Sequence, residues 1–301
     1  MTIKPRATAI GLVLRRSPRQ LAAEPFYGEL IGGLEEALAP HGLHVLMQVI
    51  DGMPTELANY RRWAQTGAVR AVVIADLVAD DPRPGLLLEL GLPGILLGAP
   101  TAPTGLPTVR TDDYAPMCDA VAKLAALGHA RIGRVTGPAG FVHTQERTRA
   151  FFDAAASLDV AGTLVAGDYS AESGAEATRE LLRADDLAGR ADAAGARPTA
   201  IIYDNDVMAI AGLAAARSAG LAVPDDVSIL AWDDSQLCLL ASPPVSAMSH
   251  DVHERGVLAA RSVLALLDGG DPGDVVSEAP VFVPRGTTAP AKAPALSPDP
   301  A

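Results

Sequence analysis

Aromatic side chains are scarce in this chain, at 4% of 301 residues, and the only cysteines are Cys118 and Cys238. Two thiols so far apart build neither a disulfide framework nor a paired-cysteine zinc site, and a reducing compartment fits. Positive charge is also in short supply: 24 Lys and Arg stand against 36 Asp and Glu, for a formal net charge of -12. A surface of that sign repels phosphate, which excludes a protein that grips nucleic acid with most of its surface. No apolar run approaches the roughly 20 residues of a membrane span. The opening MTIKPRATAIGLVLRRSP has a short apolar stretch followed directly by arginines, so it does not read as a signal segment. The expected location is cytoplasmic, without membrane contact.

Apolar material is plentiful. At 49% hydrophobic and 20% charged residues, global disorder is excluded. The length suffices for one large domain or two ordinary lobes.

Short apolar runs alternate with amphipathic stretches. Ala9 to Leu14 reads as a buried strand. Phe26, Leu30, Leu34 and Leu38 then recur at helical spacing until His41-Gly42 stops the helix. Strands follow at Leu43 to Val49, Val69 to Ile74 and Gly94 to Leu97, with helices at Pro54 to Thr66 and around Leu86 to Leu90 between them. The pattern restarts after Gly128-His129. Strands are expected at Ile132 to Thr136, Thr163 to Val165, Ala200 to Tyr203 and Val227 to Ala231. Helices are expected at Gln145 to Ser157, Ala171 to Arg183 and Val207 to Ser218. Strand–helix alternation at this pitch means parallel sheets with helices on both faces, here two doubly wound units in tandem. Ala184 to Pro198 reads as an exposed loop, and the Pro- and Ala-rich stretch from Ala289 as a disordered tail.

Catalytic signatures are absent. There is no GxxxxGK[ST], no GxGxxG after the first strand, no GxSxG and no HExxH. His250 and His253, with Asp251 and Glu254 beside them, have a spacing that places two metal ligands on one helical face; the plainer reading is a polar helix start.

What remains is a set of polar and aromatic residues just beyond the carboxyl ends of expected strands, where ligands of open α/β sheets bind. It comprises Glu24 to Tyr27, Asp112-Asp113, Arg147, Tyr169, Asp204-Asn205-Asp206, Trp232-Asp233-Asp234 and His250. Carboxylates, amides and an arginine framed by rings suit a polyhydroxylated ligand. Structural readings stand beside the functional one. Asp113 precedes Tyr114-Ala115-Pro116 and reads as a helix cap, Asp204 or Asp206 as a cap of the helix near Val207, and Phe26 as plain core. Arg15, Arg16 and Arg19 read as a small solvated basic loop.

From about Ala9 to Thr288 the chain resembles the effector-binding core of the lac repressor (LacI/GalR) family, which is similar to type I periplasmic sugar-binding proteins. The resemblance rests on AIGLVL, EPFYGELIGGLEEALAPHGLHVLM, GLPGILLG, TVRTDD, LAALGHARIGRVTG and ERTRAFFDAA in that order. PTAIIYDNDVMAIAGLAAARSAGLAVPDDVSILAWDD, PPVSAMSHDVHERGVLAARSVLALLDG and VFVPRGTT complete it. The resemblance implies a cleft between two lobes. Glu24, Phe26 and Tyr27 line it from the first-strand loop, with Glu24 where the family usually has asparagine, a departure that bears on a neutral-sugar preference. Asp112 and Asp113 match an acidic or amide pair, and Arg147 an arginine that reaches a sugar hydroxyl or ring oxygen. Tyr169 takes the place of a stacking aromatic and Asn205 that of the family amide. Trp232 and Asp233 match an aromatic and the carboxylate after it. His250 stands where glutamine is common and adds a pH dependence near neutrality.

The expected lobes are residues 1–128 plus 249–281, and 129–248 plus 282–288, with 289–301 a disordered tail. The expected function is effector sensing for a transcription regulator: a sugar or sugar derivative favours one lobe orientation in a homodimer. No catalysis, cofactor or metal is implied. Operator DNA is reached only through the family's helix-turn-helix head of about fifty to sixty residues, which this sequence does not include. A truncated chain, a gene start assigned too late and a standalone sensor all account for that. Other classes in view are a solute-binding protein of a sugar transport system and a sugar-modifying enzyme on a doubly wound fold.

Overall fold

The structure is a computed structural model that describes residues 7–17, 21, 24–183 and 197–292. The loop expected at Ala184 to Pro198 lies outside these residues except for its last two, as do Arg19 and the tail from residue 293.

In chain order the elements begin with β1 (Ala9–Leu14), α1 (Pro25–Leu38), β2 (His44–Val49), α2 (Gly52–Thr66), β3 (Ala71–Ile74), α3 (Pro82–Leu90), β4 (Gly94–Leu97) and β5 (Thr108–Arg110). They continue with α4 (Tyr114–Ala126), β6 (Arg131–Thr136), α5 (Val142–Ser157), β7 (Ala161–Ala166), α6 (Ala171–Leu182), β8 (Ala200–Tyr203) and α7 (Asp206–Ser218). The last are β9 (Ser228–Trp232), α8 (Gln236–Leu240), β10 (Ser246–Ser249), α9 (Val252–Leu267), β11 (Val275–Val276) and β12 (Val281–Val283). The chain divides into two compact units. The first is Met1–Tyr114 with Ala139–Arg147 and His250–Pro280; the second is Ala115–Pro138 with Thr148–Ser249 and Val281–Ala301.

The first unit is built on a six-stranded parallel sheet in the order β11-β5-β4-β3-β1-β2. Side chains alternate between the faces of a strand, and here both faces are covered. Ile10, Leu12 and Leu14 of β1 join Val73 and Ile95 in a core with Leu30 and Leu34 of α1 and Val263 of α9. Val13 points the other way, with Val72, Ile74 and Leu96, into a core with Tyr60 and Trp63 of α2 and Leu87 of α3. Each fully buried leucine contributes roughly 1.5–3 kcal/mol relative to exposure. α1 starts with Pro25 in its first turn, where a missing N–H costs no helical bond. It ends in a 3-10 turn closed by Gly42 at φ 65°, a left-handed stop that glycine adopts without strain. α1 and α9 cross closely because Gly33 and Gly256 lack side chains: a Cβ on either would strike the backbone of the opposite helix.

The second unit has a sheet of order β12-β10-β9-β8-β6-β7, parallel except for the antiparallel pairing of β12 with β10. At its centre Arg134 of β6 and Asp204 beyond β8, both without exposure, pair at 2.7 Å. Asp204 also accepts the Gly137 N–H at 2.9 Å.

Apart from single residues at Ser249 and Val281, the division differs from the expected lobe boundaries in two segments. α4 belongs to the second unit, where the Cys118 thiol of α4 donates to the Ala150 carbonyl of α5. Residues 139–147 belong to the first unit, because the Val142 N–H donates to the Leu77 carbonyl at 2.8 Å and Phe141 bridges Val78. The start of the expected disordered tail is also held. Ala289 O accepts from His129 Nε2 at 3.0 Å, the Ala291 N–H donates to Leu127 O at 2.8 Å, and Lys292 pairs with Asp226 at 2.7 Å.

Candidate functional site

In the first unit the carboxyl ends of β1 and β3 deliver Arg15-Arg16 and Asp76 into one polar cluster. Arg16 lies 2.9 Å from Asp76 Oδ2 and 3.3 Å from Glu24 Oε1, and Tyr27 donates its hydroxyl to the same Asp76 oxygen at 3.0 Å. The Arg16 guanidinium also sits over the rings of Tyr27 and Phe141, at 5.8 and 5.3 Å from their centroids. Burial raises the Asp76 carboxyl, but Arg16, His143 and the Tyr27 hydroxyl outweigh it and hold the group below its ordinary range. A second chain of charges supports the first. Arg15 faces Glu56 at 3.4 Å, and Arg83 reaches Glu56 at 3.0 Å, Asp81 at 2.6 Å and the Asp76 carbonyl at 2.8 Å.

This cluster corrects the solvated basic loop expected at Arg15, Arg16 and Arg19. Arg16 is buried and Arg15 is ion-paired, because carboxylates on α2 and beyond β3 stand ready to compensate them. Arg19 lies outside the described residues. Asp76, Phe141 and His143 carry no motif that marks them in the sequence. The available signal was position: Asp76 stands two residues past a buried strand, as Asp112 does past β5, and Asp233 directly follows β9.

The other expected residues of this unit form two further groups. Phe26 meets Tyr27 edge to face at 5.2 Å, and its ring lies 6.4 Å from that of His250. His250 Nδ1 is 2.8 Å from Arg255, so it accepts from the guanidinium. Arg147 pairs with Asp113 at 2.7 Å, both nearly buried. The helix-cap reading of Asp113 is thereby corrected: Asp112 Oδ1 accepts the Tyr114 N–H at 2.8 Å, while Asp113 turns to the arginine. Asp112 and Asp113 line a cavity of about 440 Å³ at the ends of β4 and β5. At the start of α9, Asp251 caps the helix by accepting the Glu254 N–H, and His253 pairs with Glu36.

In the second unit Tyr169 and Asp233 follow β7 and β9 with φ of 72° and 69°, left-handed values that cost a non-glycine residue energy. Asn205 holds the first of these in place, donating from Nδ2 to the Tyr169 carbonyl at 3.1 Å. Its Oδ1 accepts the Met208 N–H at 2.9 Å, so Asn205, not Asp204 or Asp206, caps α7. Asp204 is taken by Arg134 instead. Burial, and then the Asp233 carboxylate, push Asp206 up to about 6. Trp232 has no exposure and packs inside the unit, and Asp234 is held by Arg285 through two contacts of 2.7 Å. Among the described residues no group of three or more His, Cys, Asp or Glu is placed to hold a metal ion. No helix among them is long and apolar enough to cross a membrane.

Known proteins agree with this architecture. Residues 121–288 match the family described as periplasmic binding protein-like domain. The HTH-type transcriptional regulator CelR of Thermobifida fusca is 31% identical over 275 residues, covering 88% of this chain and 76% of that protein. The crystal structure of a LacI family transcriptional regulator from Bifidobacterium animalis subsp. lactis superposes with a TM-score of 0.83 at 36% identity, covering 95% of this chain and 100% of that one. A structure of the regulator CelR in complex with cellobiose superposes with a TM-score of 0.82 at 27% identity, covering 94% and 85% of the two chains. With its two parallel-dominated sheets and polar strand ends, the chain belongs to the LacI family of HTH-type transcriptional regulators and forms their ligand-binding core.

Proposed function

We propose that this chain binds a carbohydrate effector with polar groups at its strand ends, and that binding changes the operator affinity of a homodimeric regulator. Asp233 carries the reading: a left-handed aspartate at the carboxyl end of a central strand is a conformation maintained for the placement of its carboxylate. CelR, whose structure holds cellobiose, is a relative that senses the same class of ligand. Asp112, Asp233, Phe26 and His250, none of them buried, touch the effector directly. Glu24, Tyr27, Asp113, Arg147, Tyr169, Asn205 and Trp232 complete the site, several of them through neighbours: Glu24 through Arg16, Asn205 through Tyr169. With Glu24 paired to Arg16, its acid in place of the usual amide does not oppose a neutral sugar.

The effector acts by differential affinity. The conformation that binds it best becomes more populated, and linkage carries that preference to the operator. The chain works by binding, without turnover, in the cytoplasm. DNA is contacted through a helix-turn-helix of the kind the relatives' names record, since the acidic balance of this core repels phosphate. A second copy covers α8, whose Leu237, Leu239 and Leu240 lie 40, 47 and 81% exposed.

Thermal-shift measurement against a panel of sugars tests the reading, because a ligand of the folded state raises Tm by mass action. Asp233→Asn keeps a residue that tolerates the left-handed backbone and removes the charge. It is expected to abolish the shift; a full shift in this variant overturns the assignment.

A further inference from the structure

We propose that Arg83, too buried to touch a ligand itself, is a positioning residue of the effector site: it shapes the loop 76–81 and, through that loop, fixes the first turns of α5, which carry Arg147. The role of Arg147 rests on the carbohydrate reading above; the geometry that holds it does not.

Arg83 sits in the first turn of α3 with 1% exposure. Every N–H of its guanidinium is engaged. Nε meets the Asp81 carboxylate oxygens at 2.9 and 3.1 Å. Nη1 donates to Glu56 Oε1 at 3.0 Å and to the Ala75 carbonyl at 2.9 Å. Nη2 donates to the Asp76 carbonyl at 2.8 Å and to Asp81 Oδ2 at 2.6 Å. One planar fork thus joins α2, α3 and the carboxyl end of β3. Stability alone does not ask for such a group, because apolar side chains of similar volume often serve a buried site as well or better. What a rigid fork adds is direction.

Direction is what the loop 76–81 needs. Asp76 and Asp80 both have φ 50°, the left-handed region that costs a non-glycine residue energy. Arg83 holds the first of them by its carbonyl, and Arg15 Nη2 donates to the same oxygen at 3.0 Å. Asp81, oriented by the guanidinium, accepts the Val78 N–H at 3.3 Å. The loop so shaped receives α5. Leu77 O accepts the Val142 N–H at 2.8 Å, and Val78 bridges Phe141. Phe141 O accepts the Gln145 N–H at 3.1 Å, which starts the helix. Arg147 follows and pairs with Asp113 at 2.7 Å. All of these groups lie in the first unit. A displacement at residues 76–78 therefore passes to Arg147 along hydrogen-bonded backbone.

Arg83→Lys and Arg83→Met in the whole chain test this, beside Leu38→Ala, which opens a cavity in the core on the other face of the same sheet. Lysine keeps the charge but carries three donors on one nitrogen, so it cannot serve both carboxylates and both carbonyls in one plane. Two readouts are taken: hydrogen exchange of the Val142 amide relative to that of Leu12 in β1, and isothermal titration with cellobiose, maltose and glucose. Both Arg83 variants are expected to raise the exchange ratio by about tenfold or more. They are expected to weaken sugar binding by about tenfold, the worth of one charge-assisted hydrogen bond. Leu38→Ala is expected to lower Tm and leave both readouts unchanged. The result for Arg83→Lys stands alone if the methionine variant does not fold. An unchanged exchange ratio in Arg83→Lys overturns the positioning role. So does a sugar affinity that it retains, or that Leu38→Ala loses equally. A wild-type chain that binds none of the three sugars counts against the carbohydrate reading instead, and Arg83 is then judged by Val142 exchange.

Discussion

The guanidinium of Arg134 meets both carboxylate oxygens of Asp204, at 2.8 and 2.7 Å, with neither side chain exposed. The pair ties β6 to the end of β8, and removing one partner strands the other charge in the core. Arg134→Ala is expected to cost about 3–5 kcal/mol, the usual penalty for a broken buried pair. Urea unfolding of the variant checks it, and a loss below about 1 kcal/mol would show the pair to be solvated.

Asp206 gives the second unit a signature in pH. Its carboxyl is raised from 3.8 to about 6 by burial and by Asp233. A raised folded value means the folded state binds the proton more tightly than the unfolded one. The stabilisation is therefore complete below about pH 4 and lost as pH rises through 6. Asp206→Asn removes this dependence. The variant should gain on the wild type between pH 4 and 7 by an amount on the order of 3 kcal/mol. Denaturation curves at a series of pH values read it; a constant offset across that window would refute the assignment.

Gly33 and Gly256 set the approach of α1 to α9. A methyl group at either meets backbone that cannot rotate away, so Gly33→Ala or Gly256→Ala should lose about 1–3 kcal/mol, the range for overpacked sites. By contrast Gly28→Ala on the same α1 has open space around its Cβ and should be neutral or mildly stabilising. Melting temperatures of the three variants decide between these outcomes.

His129 fastens the segment 289–292. Its Nε2 donates to Ala289 O, which fixes Nδ1 as the acceptor for the Thr199 hydroxyl at 2.9 Å. Burial lowers its pKa, outweighing the Ala289 bond, so its contribution is present above about pH 6.5 and fades as pH falls through the lowered value. His129→Ala should release the Ala291 amide from Leu127, and hydrogen exchange at that amide should speed up while β6 stays protected.

The long elements were legible because their apolar spacing repeats often enough to exclude the alternative period. β1 and α1 fall where the runs Ala9 to Leu14 and Phe26 to Leu38 put them. The short ones were not: β5 has three residues, β11 two and α8 five, too few for a period to show. α4 was read only at its start, Tyr114-Ala115-Pro116, and the rest of it was not placed for a different reason. Its buried face is Pro116, Met117, Ala120, Val121 and Leu124, with an alanine at its middle where a large apolar side chain would have marked the helical spacing.

For the site, residue types at strand ends could be read but partners could not. Asp112 and Asp113 are neighbours with the same chemistry, yet one caps α4 and the other pairs with Arg147, a choice made by tertiary packing. Arg16 reads as solvated because nothing nearby in sequence, apart from Glu24, announces that Asp76 and two rings will enclose it.

Arg16 binds Glu24, Asp76 and, through Asp76, Tyr27 into one electrostatic unit. The make-up of that corner therefore cannot drift by single steps. A lineage that exchanges the arginine inherits two stranded acids, so related sequences should vary at these positions in concert, with viable intermediates rare.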